Sequence, residues 1–257
     1  MLPRWSDVAE VRLDAGGVGV RLAHRGRHGR VSHRYSAVAE GQSLADVVQA
    51  ELRRLPSRTP VHIRVSNHLV RYALLPFNEA IVGEAAVQAV ARQAFRHVHG
   101  AAADGWAVTV TDAAPGMHRI AAAIDATLQQ GLVDAARAAH VHIASIDPLL
   151  MSGFNAAREH LLATGWFAVV EPGKVVLVRT VDADWRRVVG ARCDGHWRRT
   201  IQRLVQRELP WVEGSGETFC QVAFYGWPDE AEGMDATMHV ISAAGRDAGD
   251  PALREAA

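Results

Sequence analysis

The sequence has almost no cysteine: Cys193 and Cys220 are the only two in 257 residues, and neither belongs to a Cys-x-x-Cys pair. That excludes a disulfide-stapled scaffold and a cysteine zinc site, and reads as two buried thiols in a reducing compartment. There is no run of about 18 consecutive apolar residues, so no segment is expected to span a bilayer as a helix. Met1 to Glu10 is polar with no apolar run behind it, so no leader segment is read. There is also no net charge. Lys+Arg and Asp+Glu are 28 each, giving 28 − 28 = 0, whereas a chain whose main partner is nucleic acid carries a basic excess. No Gly-x-x-x-x-Gly-Lys-Ser/Thr loop occurs, which excludes a P-loop nucleotide site. No Ser-His-Asp or Cys-His arrangement can be assembled from the sequence, so no catalytic residue is assigned.

What is present is ordinary globular material, 49% hydrophobic and 22% charged, enough to bury a core unaided. From Asp7 to Glu40 the pattern reads strand, turn, strand, turn, strand. Val8, Val11, Leu13 and then Val18, Val20, Leu22 mostly alternate with other types, and Ala15-Gly16-Gly17 and Gly26 to Gly29 supply the turns. The second turn lies in a basic run, His24 to Arg34, read as a solvated hairpin or as a contact for an acidic partner. Ser43 is placed to cap a helix carrying Leu44, Val47, Val48, Leu52 and Leu55, which Pro56 ends. The segments "VHIRV" and "LVRYALLP" read as strands around Ser66-Asn67. Gly83 to His99 reads as a helix stopped by Gly100. "WAVTVTDA" and "HRIAAAID" follow as strands, Ala126 to Ala139 as a helix, "HIASID" as a strand, and Pro148 opens a helix through about Leu162. A second series begins at Gly165: strands "WFAVVE", "KVVLVRTV" and "RRVVGARC", a helix from His196 to Leu209, and strands "FCQVAFYG" and "MHVISA". The two His-x-His pairs, His97/His99 and His140/His142, and the pair Asp182/Asp184 have better readings as a helix end and turns than as metal ligands, so no metal site is assigned.

Each series opens with three antiparallel strands and a helix. That order resembles the actin-like (RNase H-like) superfamily, an α/β fold of two such halves. "VHIRVSNHLVRYALLP" and "IDATLQQGLVDAARAAHVHIASIDP" carry a narrower resemblance, to the actin-like assembly proteins of type IV pili and type II secretion: the PilM family and the cytoplasmic domain of the GspL family. The resemblance implies a first half at 1–68 and 140–163, an inserted small α+β subdomain at 69–139, an abbreviated second half at 164–246, and a flexible tail at 247–257.

Nucleotide-binding actin-like proteins hold ATP and magnesium between two phosphate hairpins, each typically Asp-x-Gly followed by small hydroxyl residues. "LDAGGVGV" supplies Asp14, Gly16 and Gly17 for the first hairpin, with a plain β-turn as the competing reading. "VVEPGKVVLV" stands at the second. There Glu171 replaces the aspartate, Pro172 lacks an N–H, no Ser or Thr follows Gly173, and Lys174 is left as a lone cation. The adenine-side Gly-Gly pair is reduced to "ISAAGRDAG". Asp14, Gly16, Gly17, Gly173 and Lys174 are therefore expected to form degenerate phosphate hairpins, with no cofactor required and ATP with magnesium as the alternative occupant. The resemblance implies a non-enzymatic cytoplasmic scaffold, peripheral to the inner membrane through partners. Those partners would be inner-membrane assembly proteins and a secretion or pilus ATPase, with room for a homodimer. An ATP-binding ATPase or phosphotransferase is the alternative. Trp185, Trp197, Trp211 and Trp227 are read as core residues, with one or two left exposed as contact points.

Overall fold

The computed structural model describes residues 7–24, 30–209, 219–227 and 229–242. The turn at 26–29, Trp211, the Gly-Gly remnant after Ser242 and the tail at 247–257 lie outside them. Thirteen strands and five α-helices are described. The first half opens with β1 (Val8–Leu13), β2 (Gly17–Ala23), β3 (Val31–Ala37), α1 (Leu44–Leu52) and β4 (Pro60–Val65). An excursion follows through β5 (Arg71–Leu75), α2 (Glu84–His99), β6 (Trp106–Val110) and β7 (Arg119–Asp125). The chain returns by α3 (Ala126–Ala138) to β8 (His142–Pro148) and α4 (Leu149–Ala157). The second half is β9 (Gly165–Glu171), β10 (Lys174–Val181), β11 (Asp184–Arg192), α5 (Trp197–Glu208), β12 (Phe219–Tyr225) and β13 (Ala236–Ser242).

The two large sheets repeat one plan. Their strand orders are β3-β2-β1-β4-β8 and β11-β10-β9-β12-β13. In each, three antiparallel strands are extended by a parallel one after a helical crossover, β4 on β1 and β12 on β9. The fifth strands differ. β8 is parallel to β4, but β13 is antiparallel to β12. A parallel return needs a crossover of about a dozen residues or more. The β12–β13 link, Gly226–Asp235, is too short for one. The second half is abbreviated at this point, and the link runs back toward the first half.

Helix starts and stops follow the side chains. Ser43 Oγ accepts from Asp46 N at 3.1 Å while Asp46 takes the Ser43 N–H, a capping box for α1. α2 ends at Gly100, whose φ of +65° suits glycine. Pro148 stands just before α4 rather than inside it, and α4 ends at Ala157, short of Leu162, before a single 3-10 turn. The Asp182-Ala183 turn has positive φ at both residues, as a tight hairpin requires.

The cores explain where each element sits. α1 and α3 cover one face of the first sheet, and Leu132, Ala135, Ala136 and Ala139 join Val11, Val48 and Ile63 there. α3, which the sequence reading placed at the end of the segment 69–139, thus packs with α1 in this core. Its 3.6-residue apolar stripe packs chiefly on α1 and the first sheet, with lighter contact to β6 and β7. The excursion proper is the three-stranded sheet β5-β7-β6 with α2 on one face. The second sheet is covered on both faces, by α5 on one and by α4 on the other. That is why "WFAVV" and "VVLV" are unbroken apolar runs. Cys220 is fully buried there, and burial pushes its thiol far up; Cys193 is half-buried and unpaired.

Candidate functional site: the cleft between the halves

Strand alternation puts Ala9, Val11 and Leu13 in the first core, so Glu10, Arg12 and Asp14 share the other face. That face looks toward the second half. Arg12 is completely buried. Its Nη1 donates to the Gly226 carbonyl at 2.9 Å and to the Gly233 carbonyl, and its guanidinium lies 5.4 Å from the centre of the Tyr225 ring. Two neighbours hold the same link: Arg64 Nη1 donates to Met234 O at 3.2 Å, and Arg21 pairs with Asp235 at 2.6 Å. The β12–β13 link is thus strapped across the first sheet by three arginines.

The second hairpin is held from the opposite side. Glu171, also buried, accepts from Ser66 Oγ at 2.6 Å and from the Asn67 N–H at 2.8 Å. Arg12 Nη2 lies 3.9 Å from its Oε2. The His68 ring nitrogen Nε2 is 2.9 Å from the Pro172 carbonyl. Tyr72 closes the cluster by donating to Asn67 Oδ1 at 2.6 Å, an oxygen that also accepts from the Leu150 N–H. Burial pushes the Glu171 carboxyl up, while the Ser66 hydroxyl, Arg12 and His68 pull it down. Burial pulls Arg12 down, and Glu171 and Asp14 hold it up.

Asp14 opens the turn between β1 and β2. Its N–H donates to Gly17 O at 2.9 Å, and its Oδ1 receives the Gly16 N–H at 3.3 Å. Its Oδ2 is buried without a hydrogen-bond partner among the described residues. Gly17 sits under the Tyr35 ring. A β-carbon there would stand 2.4 Å from the Tyr35 hydroxyl and 2.7 Å from the Ser36 carbonyl oxygen. Gly17→Ala is therefore expected to cost about 2 kcal/mol in denaturant unfolding, by overpacking. Gly16→Ala, whose β-carbon would lie 3.9 Å from the same hydroxyl, is expected to stay within about 0.5 kcal/mol. Gly173 turns the second hairpin at φ +78° with the His68 ring against it. Lys174 is half-exposed; burial and then Arg71 lower its pKa, and Glu171 opposes them. Asp14, Gly16 and Gly17 thus form one turn, and Gly173 and Lys174 the other, while Ser66, Asn67 and Arg12 meet Glu171 at the foot of the second.

No protein-family model matches the sequence, and no curated protein matches it. Solved structures do. The cytoplasmic domain of EpsL, an inner-membrane component of the Vibrio cholerae type II secretion system, superposes with a TM-score of 0.55 at 10% identity, covering 86% of this chain and 82% of that one. A Bacteroides thetaiotaomicron protein with an actin-like ATPase fold and unknown function gives 0.57 at 14%, covering 87% and 83%. The PilM–PilN type IV pilus biogenesis complex gives 0.55 at 14%, covering 90% and 84%. The chain has an actin-like fold.

In this actin-like body the sequence reading missed Arg12, Ser66 and Asn67. A signal existed for the first: Glu10, Arg12 and Asp14 alternate on a strand whose other face is purely apolar, and charges on a central strand need partners. The two acidic turn residues that resembled a metal pair part company. Asp184 accepts from the His118 N–H at 2.8 Å, tying the excursion to the second half, while Asp182 stays in its turn. Among the described residues no three His, Cys, Asp or Glu side chains converge as metal ligands. Of the four tryptophans read together, Trp227 is the exposed one among those described.

A second concavity, about 260 Å³, lies between the open face of the small sheet and the first half. Thr109, Ala122 and Ile124 form one wall, and Ile146, Pro148 and Met151 the other. β8, which contributes to it, is the outermost strand of its sheet, with no strand beyond it among the described residues.

Proposed function

We propose that this chain is a non-enzymatic, cytoplasmic scaffold of a type IV pilus or type II secretion-like assembly platform, held at the inner membrane through a partner. The observation that carries this reading is the occupation of the cleft by the protein's own side chains. Glu171, at the place of the second hairpin's aspartate, is bound by Ser66 and Asn67. Pro172 has no N–H to offer a phosphate, the Gly16 N–H is directed to Asp14, and Tyr35 covers Gly17. Arg12 reaches into the second half, to the Gly226 carbonyl and to within 3.9 Å of Glu171. These residues do not fit ATP with magnesium, which supports Asp14, Gly16, Gly17, Gly173 and Lys174 as remnants of phosphate hairpins. The likeness to an inner-membrane secretion component and to a two-protein pilus complex supports the assembly role. A secretion or pilus ATPase is the further partner this reading implies.

The groove beside β8 suits an extended, apolar segment of the inner-membrane partner. Such a segment gains backbone hydrogen bonds by adding to a free strand edge and specificity by seating alternate side chains. A photo-crosslinking amino acid at Thr109, introduced in the native host, tests this. The expected adduct is the cytoplasmic segment of a membrane protein, absent when the crosslinker is moved to exposed Arg92 on α2. Adducts only to the chain itself, or the same adduct from both positions, contradict the groove assignment.

One observation favours the alternative of nucleotide binding. Among the described residues, Asp14 Oδ2 and Arg12 Nη2 are buried polar atoms without hydrogen-bond partners.

A further inference from the structure

The exposed residues of α5 are Arg198, Arg199, Arg203, Gln206 and Arg207, with Trp197 and Gln202 half-buried at their margins. Its apolar face, led by Ile201, Leu204 and Val205, is buried on the second sheet. The helix's one carboxylate, Glu208, is buried beneath Arg187 at 2.7 Å and Arg207 at 3.0 Å, so it presents no negative charge to solvent. No ion pair among the described residues involves Arg198, Arg199 or Arg203; Arg198 instead lies 4.4 Å from the centre of the Trp197 ring. Asp194, in the turn before the helix, is the one exposed acidic residue between Arg186 and Leu209. In a chain of zero net charge this is a concentrated cationic surface on one rigid element.

We propose that this face docks on the anionic lipid surface of a membrane. The composition of the face selects a lipid surface over a protein. A folded protein partner gains its affinity through aromatic or apolar anchors at the centre of the contact; here the exposed helical positions are all arginine or glutamine, Trp197 is half-buried beside Arg198, and Leu209 is exposed only at the helix end. A bilayer rich in anionic phosphates asks only for cations held near a plane, and arginine meets phosphate with paired N–H donors. The contact is weak alone and orients a protein held by a second attachment. It rests on α5 and not on the cleft or the groove, so its failure would leave the scaffold reading untouched.

The test is sedimentation of the full chain with phosphatidylcholine vesicles, with and without about one-third phosphatidylglycerol. Retention is expected only on the anionic vesicles, and its loss as salt rises from about 0.1 M to about 0.5 M. Each arginine is expected to contribute about fivefold, so Arg198→Gln/Arg199→Gln/Arg203→Gln should weaken retention about a hundredfold. A control with the same charge change elsewhere, Arg92→Gln/Arg96→Gln/Arg137→Gln, should bind as the parent does. Absence of retention on anionic vesicles, or equal loss in both triple variants, overturns the proposal. So does displacement from the vesicles by polyglutamate at matched charge concentration, which would assign the face to an acidic protein.

Discussion

Glu171→Ala is expected to destabilise the protein by about 3–5 kcal/mol, lowering the thermal midpoint by roughly 10 °C. The loss is large because the side chain serves three groups from the other half. Its removal strips the Ser66 hydroxyl and Asn67 N–H of their acceptor and takes from the fully buried Arg12 cation the larger of its two counter-charges, leaving only Asp14. The pair as a whole is worth less than either partner's removal costs, since burying two charges carries its own desolvation penalty. Arg12→Met combined with Glu171→Gln should therefore be less damaging than the two single changes summed, by about 1–3 kcal/mol in a double-mutant cycle. Strict additivity would show that the two side chains do not act together, and the clasp between the halves would have to be sought elsewhere.

Thr109→Trp is expected to reduce partner binding about a hundredfold or more while changing stability by less than about 0.5 kcal/mol. Thr109 is exposed on β6 and faces the groove. A tryptophan there needs no rearrangement of the core but occupies the space an added strand requires. Co-purification with the protein crosslinked at this position measures the loss, and denaturant unfolding checks the fold. Full retention of the partner would remove the groove from the account. A loss matched by a fall in stability would mean that the substitution acts through folding.

Much of the architecture was legible because it is written in local patterns. The alternation at Val8–Leu13, the Ser43 cap and the apolar runs at Trp166–Val170 and Val175–Val178 each dictate an element within a few residues. The departure of the second hairpin was equally plain in Glu171 and Pro172. What those residues do instead was not legible, because the partner of Glu171 lies 105 positions away at Ser66, in what reads as an ordinary Ser-Asn turn. The packing partner of α3 was hidden for a related reason. An amphipathic stripe tells that a helix has a buried face, not which sheet it covers, and α3 follows the small sheet in sequence but packs with α1. The strap from Gly226 to Asp235 was hidden too. Its meaning depends on β13 running antiparallel to β12, which strand-like patterns alone do not reveal.

The central claim, that the protein's own side chains take the place of a nucleotide, is tested most directly by equilibrium binding of a fluorescent ATP analogue with magnesium, repeated on Asp14→Ala. The account predicts no saturable binding by the parent protein up to millimolar nucleotide, and no difference in the variant. Tight, saturable binding that disappears with Asp14→Ala would contradict it, and would assign the buried Asp14 carboxylate to a nucleotide-dependent function.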